Sequence, residues 1–267
     1  ISGMYAWYDS EEPESRFYGR ELGENPGDPG EGLLLRTVHA ATANALWLPS
    51  QTSVWNFRYG FTQFIDDDVP NAFDPASLGF APEFIALIPY KKFPSVNVQG
   101  YGSVNFDTFG DRSPQDTTYY SHNLNANVSR FFGSHTVKLG ADYRLIGMKL
   151  TAFGQPSGNF DFSPAFTRQN PLTGGTTAHA LASFLLGYPA SGDITVGTPN
   201  DFYIHYYAGY AQDDYRMTRN LTLNLGLRYE FEQGLQEQDN RITVGFDRDR
   251  AFPVQIPGAV RPDGTPL

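Results

Sequence analysis

Residues 221–232 read LTLNLGLRYEFE. Leu221, Leu223, Leu225, Leu227, Tyr229 and Phe231 alternate with Thr222, Asn224, Gly226, Arg228, Glu230 and Glu232. Successive side chains of a β-strand point to opposite faces, so this period of two predicts a strand with one apolar and one polar face. What the leucines touch decides the fold. In a soluble protein they meet a core; in a membrane barrel they meet lipid.

Composition narrows the choice. The chain has 267 residues, of which 40% are hydrophobic, 18% charged and 15% aromatic. Its formal net charge of −10 argues against a nucleic-acid partner, because phosphate binding needs a basic patch. The absence of cysteine excludes disulfides and thiolate metal sites. No run approaches the roughly 18 apolar residues of a membrane helix. A mean hydropathy of −0.40 also suits a β-barrel, in which half the strand residues face water. Ile1 is not an initiator methionine, and the chain reads as an internal piece of a longer protein.

Working outward, the same alternation recurs. Strands are expected near Met4–Asp9, Arg36–Leu48, Thr52–Ile65, Thr117–Phe131, His135–Thr151, Phe202–Met217 and Leu221–Gln233. Short turns at Pro49-Ser50, Gly133-Ser134 and Thr218-Arg219-Asn220 alternate with long excursions over 10–32, 65–116 and 152–201. The second excursion holds a candidate helix, FDPASLGFAPEFIALI, and the third another, TTAHALASFLLGY. The expected strands exceed the soluble mode of about 5–6 residues. Alternating short and long connections match the periplasmic turns and extracellular loops of an outer-membrane barrel. The expected fold is therefore all-β: an antiparallel up-and-down transmembrane β-barrel, partial, with about seven strands of a larger barrel and long extracellular loops carrying short helices.

The Gly133-Ser134 turn fixes a register that can be worked out in advance. Pairing Phe132 with His135 sets Val128 opposite Leu139, Ala126 opposite Ala141 and Leu124 opposite Tyr143. The other face then collects Ser129 with Lys138, Asn127 with Gly140, Asn125 with Asp142 and Asn123 with Arg144. A one-residue slip would mix the sets. Arg130 opposite Val137 is a misfit near the turn. In the last hairpin Tyr215 meets Leu223 and Ala211 meets Leu227, which puts Asp213 on the apolar face. A bulge at Asp213-Asp214 would relieve that, and the sequence leaves this open.

The expected lipid-facing residues are Leu124, Val128, Leu139, Leu221, Leu223, Leu225 and Leu227. The expected lumen-facing residues are Asn123, Asn125, Asp142, Arg144, Thr222, Asn224, Arg228 and Glu230. Trp47, Trp55, Phe131, Phe132 and Tyr215 near the turns, with Tyr143, Tyr229 and Phe231 toward the loops, suggest two aromatic girdles around an aliphatic band.

The run YAGYAQDDYRMTRNLTLNLGLRYEFEQG (207–234) resembles the barrel signature of TonB-dependent outer-membrane receptors of the Oar-like group. GSHTVKLGADYR (133–144) is similar to the preceding hairpin of those barrels, TTAHALASFLLGYPA (176–190) to the loop helix between them, and DNRITVGFD (239–247) to the start of the following loop. The resemblance is strong over roughly 115–250 and weaker before it. It implies a barrel of about 22 strands, a plug domain inside it, and energy from the TonB–ExbB–ExbD complex through a TonB box. On this reading the chain is an internal piece of the barrel, with neither plug nor TonB box expected within residues 1–267.

Chemical motifs are sparse. Asp66-Asp67-Asp68 could contribute to a Ca²⁺ site but lacks EF-hand spacing, so a solvated loop is expected. Asp213 and Asp214 are adjacent strand residues pointing to opposite faces, which prevents them from sharing a proton. His39, His122, His135, His179 and His205 show no ligand spacing. No phosphate loop or G-x-S-x-G elbow occurs. No catalytic, cofactor or metal site is therefore expected. The loops are the expected ligand surface, with Tyr90, Phe93, Tyr101 and Phe106 as aromatic candidates.

The expected function is a segment of an outer-membrane receptor that binds a nutrient at the bacterial cell surface for active import. The expected partners are outer-membrane lipid, the protein's own plug domain, and a small nutrient, oligosaccharide, peptide or metal chelate. Two alternatives stay open. A soluble all-β adhesin or carbohydrate-binding module predicts strands nearer six residues and opposed apolar faces. A barrel protease or lipase predicts a His–carboxylate or Ser–His constellation at the loop ends.

Overall fold

The computed structural model describes residues 1–13, 27–28, 30, 32–101, 108–110, 112–170, 178–242 and 245. Its elements run β1 (Ser2–Pro13), β2 (Gly32–Ser50) and β3 (Ser53–Pro70). The next excursion carries a 3-10 turn (Pro75–Leu78), α1 (Pro82–Ile85), β4 (Ser95–Val98) and β5 (Thr108–Phe109). Then come β6 (Gln115–Phe132) and β7 (His135–Ala152). A further excursion holds β8 (Asn159–Phe162), a 3-10 turn (Pro164–Thr167), α2 (Ala180–Leu185) and β9 (Ser191–Asp193). The last elements are β10 (Asn200–Arg216), β11 (Thr222–Glu232) and β12 (Gln236–Glu237).

The seven long strands form one antiparallel meander in the order β1-β2-β3-β6-β7-β10-β11, and β12 adds to β10. β11 has 11 residues and β2 has 19. The soluble alternative, with short strands in opposed sheets, fails on both counts. No described helix is long and apolar enough to cross a membrane, which says nothing about crossing by strands.

The β6–β7 register is the one the turn dictates: Phe132 pairs with His135, Val128 with Leu139 and Asn125 with Asp142. Gly133 takes φ 59, the left-handed conformation such a turn demands and glycine adopts freely. The same parity carries across the strand pairs, apart from a register shift between Trp47 and Ser50 at the β2–β3 turn, so each residue of the meander before that shift falls on one of two faces. One collects Trp47, Trp55, Leu124, Val128, Leu139, Tyr143 and the odd residues from Leu223 to Phe231, with Leu221 just before β11; we call it the apolar face. The other, the polar face, collects Asn123, Asn125, Asp142, Arg144, Asn224, Arg228 and Glu230.

The core is not in the meander. Among the described residues the buried hydrophobics are Val98, Phe162, Ala180 and Ala208, and the first three form a cluster in the loops. On the apolar face Leu225 is 63% exposed, Leu227 77% and Tyr229 71%. A sheet of this length with bare leucines satisfies the hydrophobic effect only in an apolar medium, since each buried leucine is stabilised by about 1.5–3 kcal/mol.

Several expectations are corrected. Asp66, Asp67 and Asp68 lie inside β3, not in a solvated loop, and each has a partner. Asp66 accepts from Arg36 Nε at 3.0 Å, Asp67 from the Thr117 backbone N–H at 3.2 Å and Asp68 from Arg112 Nε at 2.6 Å. The run 73–88 is two short pieces separated by Gly79, whose φ of 85 ends the first. The second loop helix is confined to Ala180–Leu185. Phe131 pairs with Thr136 and so falls on the polar face, leaving Phe132 on the apolar one. No bulge occurs at Asp213-Asp214; Asp213 stands opposite Leu225 in unbroken register.

Candidate ligand-facing surface

The middle of the polar face is a ladder of paired polar groups. Arg58 Nε donates to Asn44 at 2.8 Å, and Asn127 Nδ2 to Asn125 at 3.1 Å. Arg144 makes a two-pronged bond to Asp142, Nε and Nη2 each at 3.0 Å, and its guanidinium lies 4.9 Å from the centre of the Tyr206 ring. From the other side Arg228 Nη2 donates to Tyr206 Oη at 3.2 Å while pairing with Glu230. Toward the turns Lys138 bonds Asp214 at 2.9 Å, and Gln212 supports the same carboxylate at 2.9 Å. Thus six sequence-expected residues, Asn125, Asp142, Arg144, Arg228, Glu230 and neighbouring Asn123, come together on strands β6, β7 and β11, with Tyr206 of β10 between Arg144 and Arg228. Asn224 and Thr222 lie on the same face nearer the turn, where Asn224 pairs with Asp214 and Thr222 with Arg216.

Tyr210 enters the ladder through a glycine. It stands directly opposite Gly140, and a Cβ at Gly140 would collide with the Tyr210 ring. The ring therefore lies across the neighbouring strand, covering backbone that glycine leaves bare. Tyr120 covers Gly147 in the same way on the apolar face.

Above the ladder runs a feature the alternating pattern hides. Tyr8, Val38, Phe64, Tyr119, Met148 and Phe202 are successive cross-strand partners on the polar face, a hydrophobic rung across six strands. Phe64 and Tyr119 stack with centroids 5.9 Å apart, and Tyr119 is 45% exposed. Reading strands singly missed the rung, because it appears only when all registers are superposed.

The loops beyond the rung fold together. β4, from the excursion after β3, pairs in parallel with β8, from the excursion after β7, making a four-stranded sheet in the order β5-β4-β8-β9. Ser157 joins the two excursions: its hydroxyl donates to Tyr90 O at 2.6 Å and accepts from Lys92 N–H at 2.8 Å. The Lys92 ammonium is buried and donates to Gly110 O at 2.5 Å and Phe93 O at 3.1 Å. Phe80, Phe84 and Phe160 pack as an aromatic cluster with centroids 4.9–5.8 Å apart. Asp74 caps the 3-10 turn and pairs with Lys91 at 3.2 Å, which holds its carboxyl below the usual range. Phe166 and Tyr188 stack at 4.4 Å and are exposed.

Of the four loop aromatics expected to meet ligand, Tyr90 packs on Phe153, Phe93 on Phe73, and Tyr101 bonds His179 at 3.0 Å; Phe106 lies outside the described residues. Among the described residues no group of His, Asp and Glu side chains is placed to hold a metal ion.

A sequence model of the outer membrane beta barrel domain matches residues 1–265. The chain belongs to this outer-membrane β-barrel family. No curated protein and no solved structure gave a significant match. Membership places the barrel in the bacterial outer membrane and accounts for a meander without a core of its own. With seven long strands and unpaired edges at β1 and β11, the described sheet is a partial barrel wall.

Proposed function

We propose that this barrel segment belongs to a TonB-dependent receptor that captures a nutrient at the cell surface and imports it. In this reading the apolar face meets lipid and the polar face lines the lumen, where the plug domain sits. The observation that carries the proposal is the vertical order on the polar face: a folded loop cap, then the hydrophobic rung, then the paired polar ladder. That order supplies a capture surface, an apolar contact zone and a charged wall suited to a movable plug.

Arg144 and Arg228 of the ladder are paired with Asp142 and Glu230, so they hold shape without trapping a passing solute. A ligand with an apolar portion and several polar groups, such as an oligosaccharide, peptide or metal chelate, fits the sequence of zones. We assign no catalytic step to the segment. Energy transfer through TonB–ExbB–ExbD is part of the proposal and rests on the resemblance of 207–234.

Uptake of labelled oligosaccharide, peptide and metal-chelate panels by cells with and without TonB tests it. One panel member should bind in both strains and enter only with TonB. Cell-surface adhesion unaffected by TonB, with no uptake of any panel member, would contradict the reading.

A further inference from the structure

Three tyrosine–histidine pairs repeat on the apolar face with one geometry. Tyr5 Oη lies 2.8 Å from His39 Nδ1, Tyr59 Oη 2.8 Å from His122 Nδ1, and Tyr143 Oη 3.0 Å from His205 Nδ1. The rings stack at 6.2, 6.2 and 5.9 Å with interplanar angles of 23°, 29° and 21°. The pairs occupy β1/β2, β3/β6 and β7/β10, every second strand interface. Each is diagonal: the tyrosine sits one pair nearer the turns than its histidine.

His122 and His205 share one rung through Leu145, and His39 stands one same-face pair away. His39 lies eight positions from Trp47, and His122 and His205 lie ten from Phe132 and Tyr215, the aromatics at the turn end of the same face. A strand rising about 3.3 Å per residue and tilted about 40° climbs about 2.5 Å per residue, so the histidines stand roughly 20–25 Å from the turn-side aromatics. That is the thickness of the apolar band, and it places the imidazoles where hydrocarbon gives way to headgroup.

A phenol is a stronger donor than a neutral imidazole, so we assign the tyrosine proton to the bond and the imidazole proton to Nε2. Among the described residues no hydrogen bond or ion pair engages Nε2 of these three histidines. Each pair thus offers one N–H donor at the lipid boundary. Lipid offers two acceptors there, phosphate and ester carbonyl. On the same face and closer to the loops stand Asp9, Asp116 and Asp201, with Lys149 already committed to Asp201 at 3.8 Å. Carboxylates beside the belt disfavour an anionic phosphate and leave a neutral carbonyl as the matching acceptor.

We propose that the Tyr5–His39, Tyr59–His122 and Tyr143–His205 pairs form a donor belt that hydrogen-bonds the acyl-ester carbonyls of the surrounding lipid and sets the depth of the barrel. The tyrosines act as positioning residues that fix the imidazole tautomer. The proposal rests on the apolar face meeting lipid, and the test separates the two.

The whole barrel protein that contains this segment is refolded into vesicles of diacyl-phosphatidylcholine and of its dialkyl-ether counterpart, which keeps the headgroup and lacks only the carbonyls. Urea unfolding midpoints are compared for the wild type, for His39→Phe/His122→Phe/His205→Phe, and for Tyr5→Phe/Tyr59→Phe/Tyr143→Phe. The wild type should unfold at higher urea in the ester lipid. The histidine variant should lose that preference, and the tyrosine variant should keep only part of it. An ester preference unchanged in the histidine variant overturns the proposal, as does a wild type that prefers neither lipid. If the triple variant does not insert, His205→Phe alone decides by the same comparison. Quenching of Trp47 and Trp55 by brominated acyl chains, run on the same samples, reports the lipid contact of the face itself and fails only if that underlying reading fails.

Discussion

Asp213 Oδ2 lies 2.7 Å from His135 Nδ1, and the His135 ring stacks on Tyr215 at 4.4 Å and 8°. The carboxylate that breaks the apolar pattern of β10 is therefore met by a histidine on the next strand, one pair nearer the turn. It keeps its place on the apolar face by pairing, without a bulge. His135→Phe preserves the stack and removes the partner. It should lower stability by about 1 kcal/mol, the usual cost of leaving a half-buried polar group unmet. Asp213→Asn in that background should recover part of the loss. Urea unfolding of the four proteins of this cycle measures the coupling.

The Gly140–Tyr210 contact predicts a sharp contrast between two glycines. A methyl group at Gly140 meets the far end of the Tyr210 side chain and displaces the ring from the strand it covers, so Gly140→Ala should cost about 1 kcal/mol by overpacking. At Gly226, in the middle of LTLNLGLRYEFE, the nearest atom to an added Cβ is Ala211 O at 3.4 Å, an ordinary contact. Gly226→Ala should leave stability nearly unchanged. Equal effects at the two positions would contradict the packing described.

Ser157 is fully buried and joins two loops distant in sequence. Ser157→Ala leaves the Lys92 N–H and Tyr90 carbonyl without that partner, a local cost of about 1–3 kcal/mol. Hydrogen exchange at Lys92 and across β4 and β8 should accelerate while the meander strands stay protected. Faster exchange throughout β6 and β7 would mean the cap and wall unfold as one unit.

Glu237 accepts backbone N–H bonds from Arg241 at 2.7 Å and Asp239 at 2.9 Å. The Arg241 N–H, then the Asp239 N–H, hold its carboxyl below the ordinary glutamate range. A depressed folded-state pKa contributes stability that is present above the unfolded value and lost as pH falls through the folded one. Proteolysis near 233–241 should therefore increase as pH drops below the ordinary glutamate range. Glu237→Gln should be more susceptible at neutral pH and insensitive to that drop.

Much of the wall was legible in the sequence. A two-residue turn and a period of two determine a register together, which is why Phe132–His135 and its whole ladder could be worked out from GS. What stayed hidden depends on several strands at once. The Tyr8–Phe202 rung emerges only when five registers are aligned, and each Tyr–His pair only once its two strands are in register. The Asp66–Asp68 run looked like loop because acidic residues are poor strand formers, yet Arg36 and Arg112 reach it from two other segments. The loop sheet was equally invisible, since β4 and β8 are four residues each and their pairing spans about sixty positions.

The central claim is that the leucines of LTLNLGLRYEFE face lipid and their neighbours face water. These 267 residues contain no cysteine, so single-cysteine variants at positions 221–228 can each carry one spin label with no background from this segment. In vesicles, labels at Leu221, Leu223, Leu225 and Leu227 should collide readily with dissolved oxygen and poorly with a water-soluble nickel chelate. Labels at Thr222, Asn224, Gly226 and Arg228 should show the reverse. Collision profiles without a period of two, or with chelate access at the leucines, would contradict the account.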